Sequence, residues 1–198
     1  EDMPMGDITT DNLIDINSTS EARLIAKEKG IIAGLDVARR VFEILDENVV
    51  FTKSVEDGAL VQPGDIIAEI KGNTRALLKG ERTALNLIQR LSGVATKTNL
   101  LSEKIKDLPA KIVDTRKTTP GLRALEKYAV RVGGGQNHRF CLSDGVLIKD
   151  NHIKAAGGIK KAVEMIRNRI PHTIKVEVET ETLEQVQEAL DAGAEIIM

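Results

Sequence analysis

The chain has 198 residues, 41% of them hydrophobic and 29% charged, a balance typical of soluble globular proteins with one large or two small domains. Aromatic residues make up only 2%, so we expect an aliphatic core like that of helix-covered sheets. The net charge of -2 excludes a general attraction to nucleic acid or to anionic membranes. No apolar run approaches membrane-spanning length, the one cysteine cannot form an internal disulfide, and a basic and apolar leader is absent, which predicts a cytoplasmic location.

The first portion of the chain predicts a small α+β unit, with strands at 21–28, 49–55 and 66–70 and a helix at 35–45. Asp57-Gly58 and Gln62-Pro63-Gly64-Asp65 have the composition of turns between these strands. Residues 57–70 resemble half of a biotinyl or lipoyl carrier hammerhead. Because a second half and a modifiable Lys in a tight turn are missing, a β-hairpin scaffold is the favoured interpretation.

Residues 78–108 carry a long helical pattern, with a break indicated at Ser92-Gly93. We expect this helix to connect two domains, residues 1–95 and residues 96–198. Arg82 would then open the helix, where a cation is unfavourable to the macrodipole. A surface arginine is the commoner explanation, and spacing alone does not say what Arg82 contacts.

After Pro109, short aliphatic strands alternate with helices. The strands are predicted at 111–115, 146–149, 173–179 and 195–198, and the helices at 122–128, 159–167 and 183–192. This order is that of a β/α barrel, which four strands cannot close. We therefore expect an incomplete barrel and missing sequence at both ends of the chain.

Charged residues stand at the ends of three successive predicted strands. Arg116 and Lys117 follow the first strand, Lys149 ends the second, and Glu179 ends the third. Ligands of β/α barrels and open α/β sheets bind where strands run into their following loops. The pattern predicts three cations and one carboxylate at one mouth of the barrel.

The segment 133–139, Gly-Gly-Gly-Gln-Asn-His-Arg, lies between the first two of these strands and adds His138 and Arg139. A lone Lys or Arg is usually solvated, and a lone His is more often structural than catalytic. Five cations at one rim, however, repel each other unless an anion compensates them, which favours a site for carboxylates or phosphates. The three glycines describe a flexible loop or a phosphate nest equally well.

Several separate motifs resemble those of the quinolinate phosphoribosyltransferase family, from Gly6-Asp7-Ile8-Thr9-Thr10 to the last residue. The others are Glu81-Arg82-Thr83-Ala84-Leu85-Asn86, Leu91-Ser92-Gly93-Val94-Ala95-Thr96, Asp114-Thr115-Arg116-Lys117-Thr118-Thr119-Pro120-Gly121, Gly133-Gly134-Gly135-Gln136-Asn137-His138-Arg139, Lys149-Asp150-Asn151-His152 and Val176-Glu177-Val178-Glu179. The resemblance implies an α/β fold: an N-terminal α/β sandwich followed by an incomplete, TIM-like β/α barrel.

The resemblance also implies an activity, the transfer of phosphoribosyl from phosphoribosyl pyrophosphate to quinolinate with decarboxylation to nicotinate mononucleotide. Magnesium would accompany the phosphoribosyl pyrophosphate. In a head-to-tail homodimer, or a larger assembly of such dimers, Arg82 would reach into the neighbour's barrel. No nucleic-acid or membrane partner is implied.

Residue by residue, the resemblance places the family's roles on positions of this sequence. Arg116, His138, Arg139 and Lys149 match positions that bind quinolinate carboxylates, and Lys117 and Lys149 match positions near the phosphates, with Thr115 among the substrate-binding set. Glu179 matches the carboxylate that serves the ribose hydroxyls and lies near the magnesium, without being assigned as a direct ligand. Lys117, Lys149 and Glu179 are the predicted catalytic residues.

The sequence departs from the family pattern at one point, since the Asp beyond the final strand and the Ser-Gly-rich phosphate loop are not in it. Two alternatives stay open: a paralogue such as the molybdenum-transport-associated relative, and a non-enzymatic anion-binding or carrier module. Cys141 is predicted to be a small apolar filler, and His172 an exposed loop residue. For His152, orienting Lys149, contacting substrate and a structural role weigh equally.

Overall fold

The computed structural model describes residues 2–198, which form two compact units. The first unit ends at His138, and the second comprises Arg139–Met198. Both combine helices with strands, which confirms the predicted α/β fold class. In the described residues no helix is long and apolar enough to cross a membrane.

The described residues of the first unit form four helices and five strands. The helices are α1 (Ile8–Leu13), α2 (Leu35–Leu45), α3 (Thr74–Lys104) and α4 (Arg123–Val132). The strands are β1 (Thr19–Ile25), β2 (Gly30–Ile31), β3 (Val50–Lys53), β4 (Leu60–Val61) and β5 (Ile66–Asn73). The helix predicted at 35–45 is confirmed at both ends.

The strands of the first unit form two antiparallel sheets, one in the order β1-β5-β3 and one of β2 and β4. The turns predicted between strands are present, and Gly58 and Gly64 adopt φ angles of 95° and 96° that favour glycine. Side chains of α2 and β5, including Leu35, Phe42 and Ile70, are buried in a shared aliphatic core. The predicted β-hairpin within residues 57–70 is wrong, because β4 pairs with β2 while β5 pairs with β1 and β3.

Helix α3 begins four residues earlier than predicted. Asn73 caps it, because the Asn73 side-chain oxygen accepts hydrogen bonds from the N–H groups of Arg75 and Ala76. Arg82 therefore lies inside the helix on its exposed side, and the prediction that it opens the helix was wrong. The helix macrodipole therefore gives no indication of what Arg82 does.

Helix α3 also runs without interruption through Ser92 and Gly93, so the predicted break was wrong. The Ser92 hydroxyl accepts the Ala33 N–H at 3.0 Å, and the Thr96 hydroxyl accepts the Ile31 N–H at 2.8 Å. Residues four apart lie on one face of a helix, so both hydroxyls meet the same stretch of backbone. Ser92 stays helical because its polar group has a partner outside the helix.

The second unit is a three-stranded parallel sheet in the order β6-β7-β8, flanked by helices. Its strands are β6 (Val146–Ile148), β7 (Val176–Val178) and β8 (Ile196–Ile197), and its helices are α5 (Asp150–Ala156), α6 (Ile159–Arg167) and α7 (Leu183–Asp191). Strand–helix alternation is confirmed, and α6 has the predicted bounds. The strand predicted at 111–115 is reduced to one bridge, between Val113 and Gln136 in the first unit.

Candidate active site

Side chains of helix α4 form hydrogen bonds to the segment 114–119, which carries Arg116 and Lys117. The Arg123 Nε donates to the Thr118 hydroxyl at 3.0 Å, and an Arg123 Nη donates to the Arg116 carbonyl at 3.4 Å. The Glu126 carboxylate accepts the Thr119 N–H at 3.0 Å and the Thr119 hydroxyl at 2.7 Å. Side chains of one helix therefore fix the backbone on both sides of Lys117.

Glu126 is buried and remains charged. Burial raises the pKa of its carboxyl, but the hydrogen bonds from Thr119 and from the Arg90 guanidinium outweigh burial and hold the pKa below its usual range. Arg90 belongs to α3 and donates to the Glu126 carboxylate, so the hydrogen bonds around the segment 114–119 also involve the long helix. The Glu126 carboxylate therefore stays ionised at neutral pH.

A buried ion pair connects the same segment with the glycine-rich segment. The Lys127 ammonium lies 2.5 Å from the Asp114 carboxylate, and these side chains are 3% and 8% exposed. The two Asp114 oxygens also accept the His138 N–H at 2.8 Å and the Asn137 amide at 2.6 Å. Lys127 further donates to the His138 carbonyl at 3.3 Å. The pair thus fixes the backbone next to Arg116 and the backbone of His138 together.

The three predicted site residues of segment 115–117 differ in how the protein engages them. The Arg116 Nε is buried and has no hydrogen-bond partner among residues 2–198. The Thr115 hydroxyl accepts the Lys117 N–H at 3.0 Å. The Lys117 side chain is exposed and its ammonium pairs with no group in the described part of the chain. Both cations therefore have hydrogen-bonding capacity that no described residue uses.

The glycines of the segment 133–135 serve close packing. A Cβ at Gly133 would lie 2.3 Å from the Ala95 carbonyl oxygen, and a Cβ at Gly135 would lie 2.8 Å from the Thr98 methyl group. Gly134 between them has a φ of 89°. The three glycines therefore form a tight turn that packs against α3. This close packing explains the glycines without a flexible loop or a phosphate nest.

In the second unit, Lys149 and Glu179 follow neighbouring parallel strands directly. The Lys149 ammonium lies 3.7 Å from the Glu179 Oε2, and both side chains are close to half-exposed. The Glu179 Oε2 is shielded from solvent and accepts no hydrogen bond from the described residues. The strand-end prediction therefore brings a cation and a carboxylate together, with the carboxylate oxygen still able to accept.

Other candidates in the second unit have local roles. The His152 Nδ1 accepts the Lys149 N–H at 3.0 Å and so caps α5, which shows a structural role for this histidine. The half-buried Arg139 donates to the Gly145 carbonyl at 3.2 Å. The Cys141 sulfur lies 3.0 Å from the Ser143 hydroxyl and 3.2 Å from the Asp144 carboxylate, so the prediction of an apolar filler was wrong. His172 is exposed, as expected.

A cavity of about 570 Å³ in the first unit lies between the β1–β2 connection and α3. Its wall is mostly aliphatic, with Leu24, Ile32 and Ile88 among the lining residues. None of the predicted site residues lines it. We therefore place the candidate site at the charged segments and not in this cavity.

Comparison with known proteins agrees with these motifs. The family model described as the quinolinate phosphoribosyl transferase N-terminal domain matches residues 7–92, and the model of the C-terminal domain matches residues 94–198. The chain belongs to the quinolinate phosphoribosyltransferase family. The two family models and the two compact units divide the chain at different places. The boundary at 95/96 stays a prediction.

Two bacterial relatives and one bacterial crystal structure show how similar this chain is to known members of the family. Proteins named probable nicotinate-nucleotide pyrophosphorylase (carboxylating) from Synechocystis and Bacillus subtilis are 50% and 51% identical over all 198 residues. The chain covers 67% and 68% of them. A crystal structure of NadC from Streptococcus pyogenes matches with a TM-score of 0.93 and 47% identity, over 98% of this chain and 68% of that one.

The sequence did not point to Asp114, Lys127 or Glu126. Charged residues within an amphipathic helix are usually solvated, and the spacing of Glu126 and Lys127 gives no sign that both are buried. The only available signal was that Asp114 stands inside the motif shared with the family, two residues before Arg116.

Proposed function

We propose that this protein is a decarboxylating quinolinate phosphoribosyltransferase. It transfers phosphoribosyl from phosphoribosyl pyrophosphate to quinolinate and forms nicotinate mononucleotide, pyrophosphate and CO2, a step of de novo NAD biosynthesis. Family membership and the names of the relatives support this activity. The observation that carries it best is Arg116, whose buried Nε has no acceptor among the described residues. A substrate carboxylate is a suitable acceptor, since guanidinium groups pair with carboxylates in bidentate fashion.

Quinolinate carries two carboxylates, and we assign four residues to them: Arg116, His138, Arg139 and Lys149. Their assignment to the carboxylates follows from the family motifs. Binding by fixed cations would orient the ring nitrogen for attack on the ribose.

Lys117 and Lys149 are the cations that we assign to the phosphates of phosphoribosyl pyrophosphate, and Thr115 is assigned to the substrate-binding set with them. The exposed Lys117 ammonium can follow a mobile phosphate group, because lysine is a point charge on a flexible stem. The Thr115 hydroxyl acts on the backbone of Lys117 and so helps to set the position of this residue.

Glu179 is suited to the ribose end of the reaction. Departure of pyrophosphate leaves positive charge on the ribose, and a carboxylate placed nearby stabilises that charge. The shielded Glu179 Oε2 can also accept a hydrogen bond from a ribose hydroxyl. The Lys149 ammonium lies 3.7 Å from this carboxylate oxygen, so it can balance the charge of Glu179 before substrate enters. After the ring nitrogen is quaternised, the adjacent carboxylate leaves as CO2, the ring cation stabilises the electron pair left on the carbon, and this carbon then takes up a proton from water.

Magnesium is compatible with these residues. No group of three potential ligands occurs among residues 2–198, but magnesium is usually held by one or two carboxylates together with substrate phosphates. Glu179 is the carboxylate that we place near the ion. Bound magnesium would neutralise the charge of the leaving pyrophosphate.

The assembly and location of the protein are further proposals. The exposed Arg82 makes no hydrogen bond or ion pair within the part of the chain that the structure describes, which suits a residue that acts in a neighbouring subunit of a homodimer. A larger assembly of dimers is compatible with this role. We propose a cytoplasmic location, which cell fractionation would test.

Turnover distinguishes this function from its alternatives. The full-length protein should form nicotinate mononucleotide and CO2 from quinolinate, phosphoribosyl pyrophosphate and Mg²⁺. Nicotinate, which has one carboxylate fewer, should be a poor substrate. A molybdenum-transport-associated relative would turn over neither compound, and a carrier module would show a covalently modified Lys by mass spectrometry. The comparisons favour the quinolinate enzyme over both.

A further inference from the structure

We propose that the buried Asp114–Lys127 ion pair is a positioning element that sets Arg116 and His138 at the spacing required for quinolinate. The inference rests on the proposed function and assigns a role to two residues that themselves never contact substrate. Their side chains are 8% and 3% exposed, so a ligand cannot reach the ammonium or the carboxylate directly.

Asp114 acts on two stretches of backbone at once. It belongs to the segment that carries Arg116, and its Oδ1 accepts the His138 N–H at 2.8 Å. Its Oδ2 accepts the Asn137 amide at 2.6 Å, so both oxygens are engaged in holding residues 137–138. In addition, backbone hydrogen bonds join Asp114 to Gln136 and Gln136 to Ile112. The carboxylate therefore adds side-chain hydrogen bonds at residues 137–138 to the backbone hydrogen bonds that join the two segments.

Lys127 supports the same contact from α4. Its ammonium pairs with the Asp114 Oδ1 and donates to the His138 carbonyl, and its own carbonyl accepts the Asn137 amide at 2.9 Å. Arg123, one turn earlier on α4, holds the carbonyl of Arg116. Helix α4 thus contacts the backbone of Arg116 and of His138, the two residues of the first unit that are predicted to bind quinolinate. These contacts allow α4 to set the spacing of the two residues.

The charge of the pair has its own role. A buried carboxylate without its cation would be costly, and it would add negative charge close to residues that must attract an anion. Lys127 cancels that charge without being reachable by the substrate. The pair can therefore fix geometry through charge-assisted hydrogen bonds without adding net charge next to Arg116 and His138.

The test compares the neutral double variant Asp114→Asn/Lys127→Met with wild type in the full-length protein. The double variant removes both charges and leaves neither partner uncompensated. We expect the KM for quinolinate to rise by about 10- to 100-fold, and the KM for phosphoribosyl pyrophosphate to change much less, because misplacing a binding group by about 1 Å has effects of this order. Lys127→Arg, which keeps the cation, should recover part of the loss.

The matched control is Asp11→Asn/Lys79→Met, which makes the same two changes in an ion pair of the same 2.5 Å length between α1 and α3. It should lose stability and keep both KM values. Equal changes of both KM values in the double variant, or an unchanged quinolinate KM, would overturn the positioning role. If the double variant does not fold, the same comparison is made with Asp114→Asn. Absence of wild-type turnover would overturn the proposed function, and this role with it.

Discussion

The Tyr128 hydroxyl of α4 donates a 2.6 Å hydrogen bond to the Asp57 carboxylate, 71 residues earlier in the chain. Asp57 also accepts the N–H groups of Gly34 and Leu35 at the start of α2. The Asp57 carboxylate thus connects the turn at 57–58, the start of α2, and α4. Helix α4 is the helix whose side chains hold the segment 114–119. Burial, and then Asp57, raise the pKa of Tyr128 to about 12.

Tyr128→Phe should lower the free energy of unfolding by about 1–3 kcal/mol, because it removes a hydrogen bond to a charged group. The folded state favours the protonated phenol, so this contribution is complete below pH 10 and is lost as the pH rises toward about 12. Urea denaturation at several pH values measures both effects. A difference between the proteins that stays constant from pH 9 to about 12 would contradict the assignment.

Glu126→Gln should weaken the grip on Thr119 and remove part of the acid sensitivity of the protein. The Glu126 pKa is lowered in the folded state from the ordinary 4.5, so its stabilisation is present above that value and is lost as the pH falls through the folded pKa. Wild type should therefore lose stability more steeply than the variant below pH 4.5. The control Glu164→Gln removes an exposed carboxyl of α6, and parallel acid curves for wild type and Glu126→Gln would refute the prediction.

Gly133→Ala should destabilise the first unit by about 1–3 kcal/mol or more, because its Cβ would overlap the backbone of α3. Gly93→Ala is a matched control, since a Cβ there meets nothing within 4 Å and alanine is the better helix former by about 1 kcal/mol. Thermal unfolding should give opposite signs for the two variants. A harmless Gly133→Ala would show that the turn against α3 is not as tight as described.

Lys149→Ala should reduce kcat/KM by about 100-fold or more, since it removes a cation that we assign to substrate and to the Glu179 carboxylate. Its melting temperature should change little, because half-exposed ion pairs contribute little to stability. Lys154→Ala, which breaks the exposed pair with Asp150 on α5, is the control and should keep full activity. Loss of activity that follows loss of fold in both variants would argue against a role in the reaction.

Arg82→Ala mixed with Lys149→Ala should recover part of the lost activity if Arg82 acts in a neighbouring subunit. Heterodimers of the two inactive proteins contain one site with both residues intact, so about a quarter of wild-type activity is expected if assembly is random. Steady-state assays after mixing and re-equilibration measure it. Heterodimers that form but stay inactive would place Arg82 outside the partner's site.

Periodicity predicted the elements whose stability comes from one apolar face. Helix α2 and helix α6 have the predicted bounds, since each buries an aliphatic stripe against a sheet. The strand-end argument also found Lys149 and Glu179, because the ends of neighbouring parallel strands lie side by side. These features depend on local pattern and simple topology.

Features that depend on tertiary contacts could not be predicted from the sequence pattern. The Ser92 hydroxyl finds its partner at Ala33, 59 residues away, so the local sequence indicated a break that does not exist. Likewise, Asp114 and Lys127 are charged residues whose burial depends on residues 137–138. Nothing in a single sequence reports such pairings, although the family motifs contain several of the residues involved.

The decarboxylation of quinolinate is the most direct test of the account. Wild-type full-length protein, phosphoribosyl pyrophosphate and Mg²⁺ are incubated with quinolinate labelled in the carboxyl next to the ring nitrogen. We predict one labelled CO2 for each nicotinate mononucleotide formed, and a loss of turnover of about 100-fold or more in Arg116→Ala. Folded wild-type protein that releases no labelled CO2, or an Arg116→Ala protein as active as wild type, would contradict the central claim.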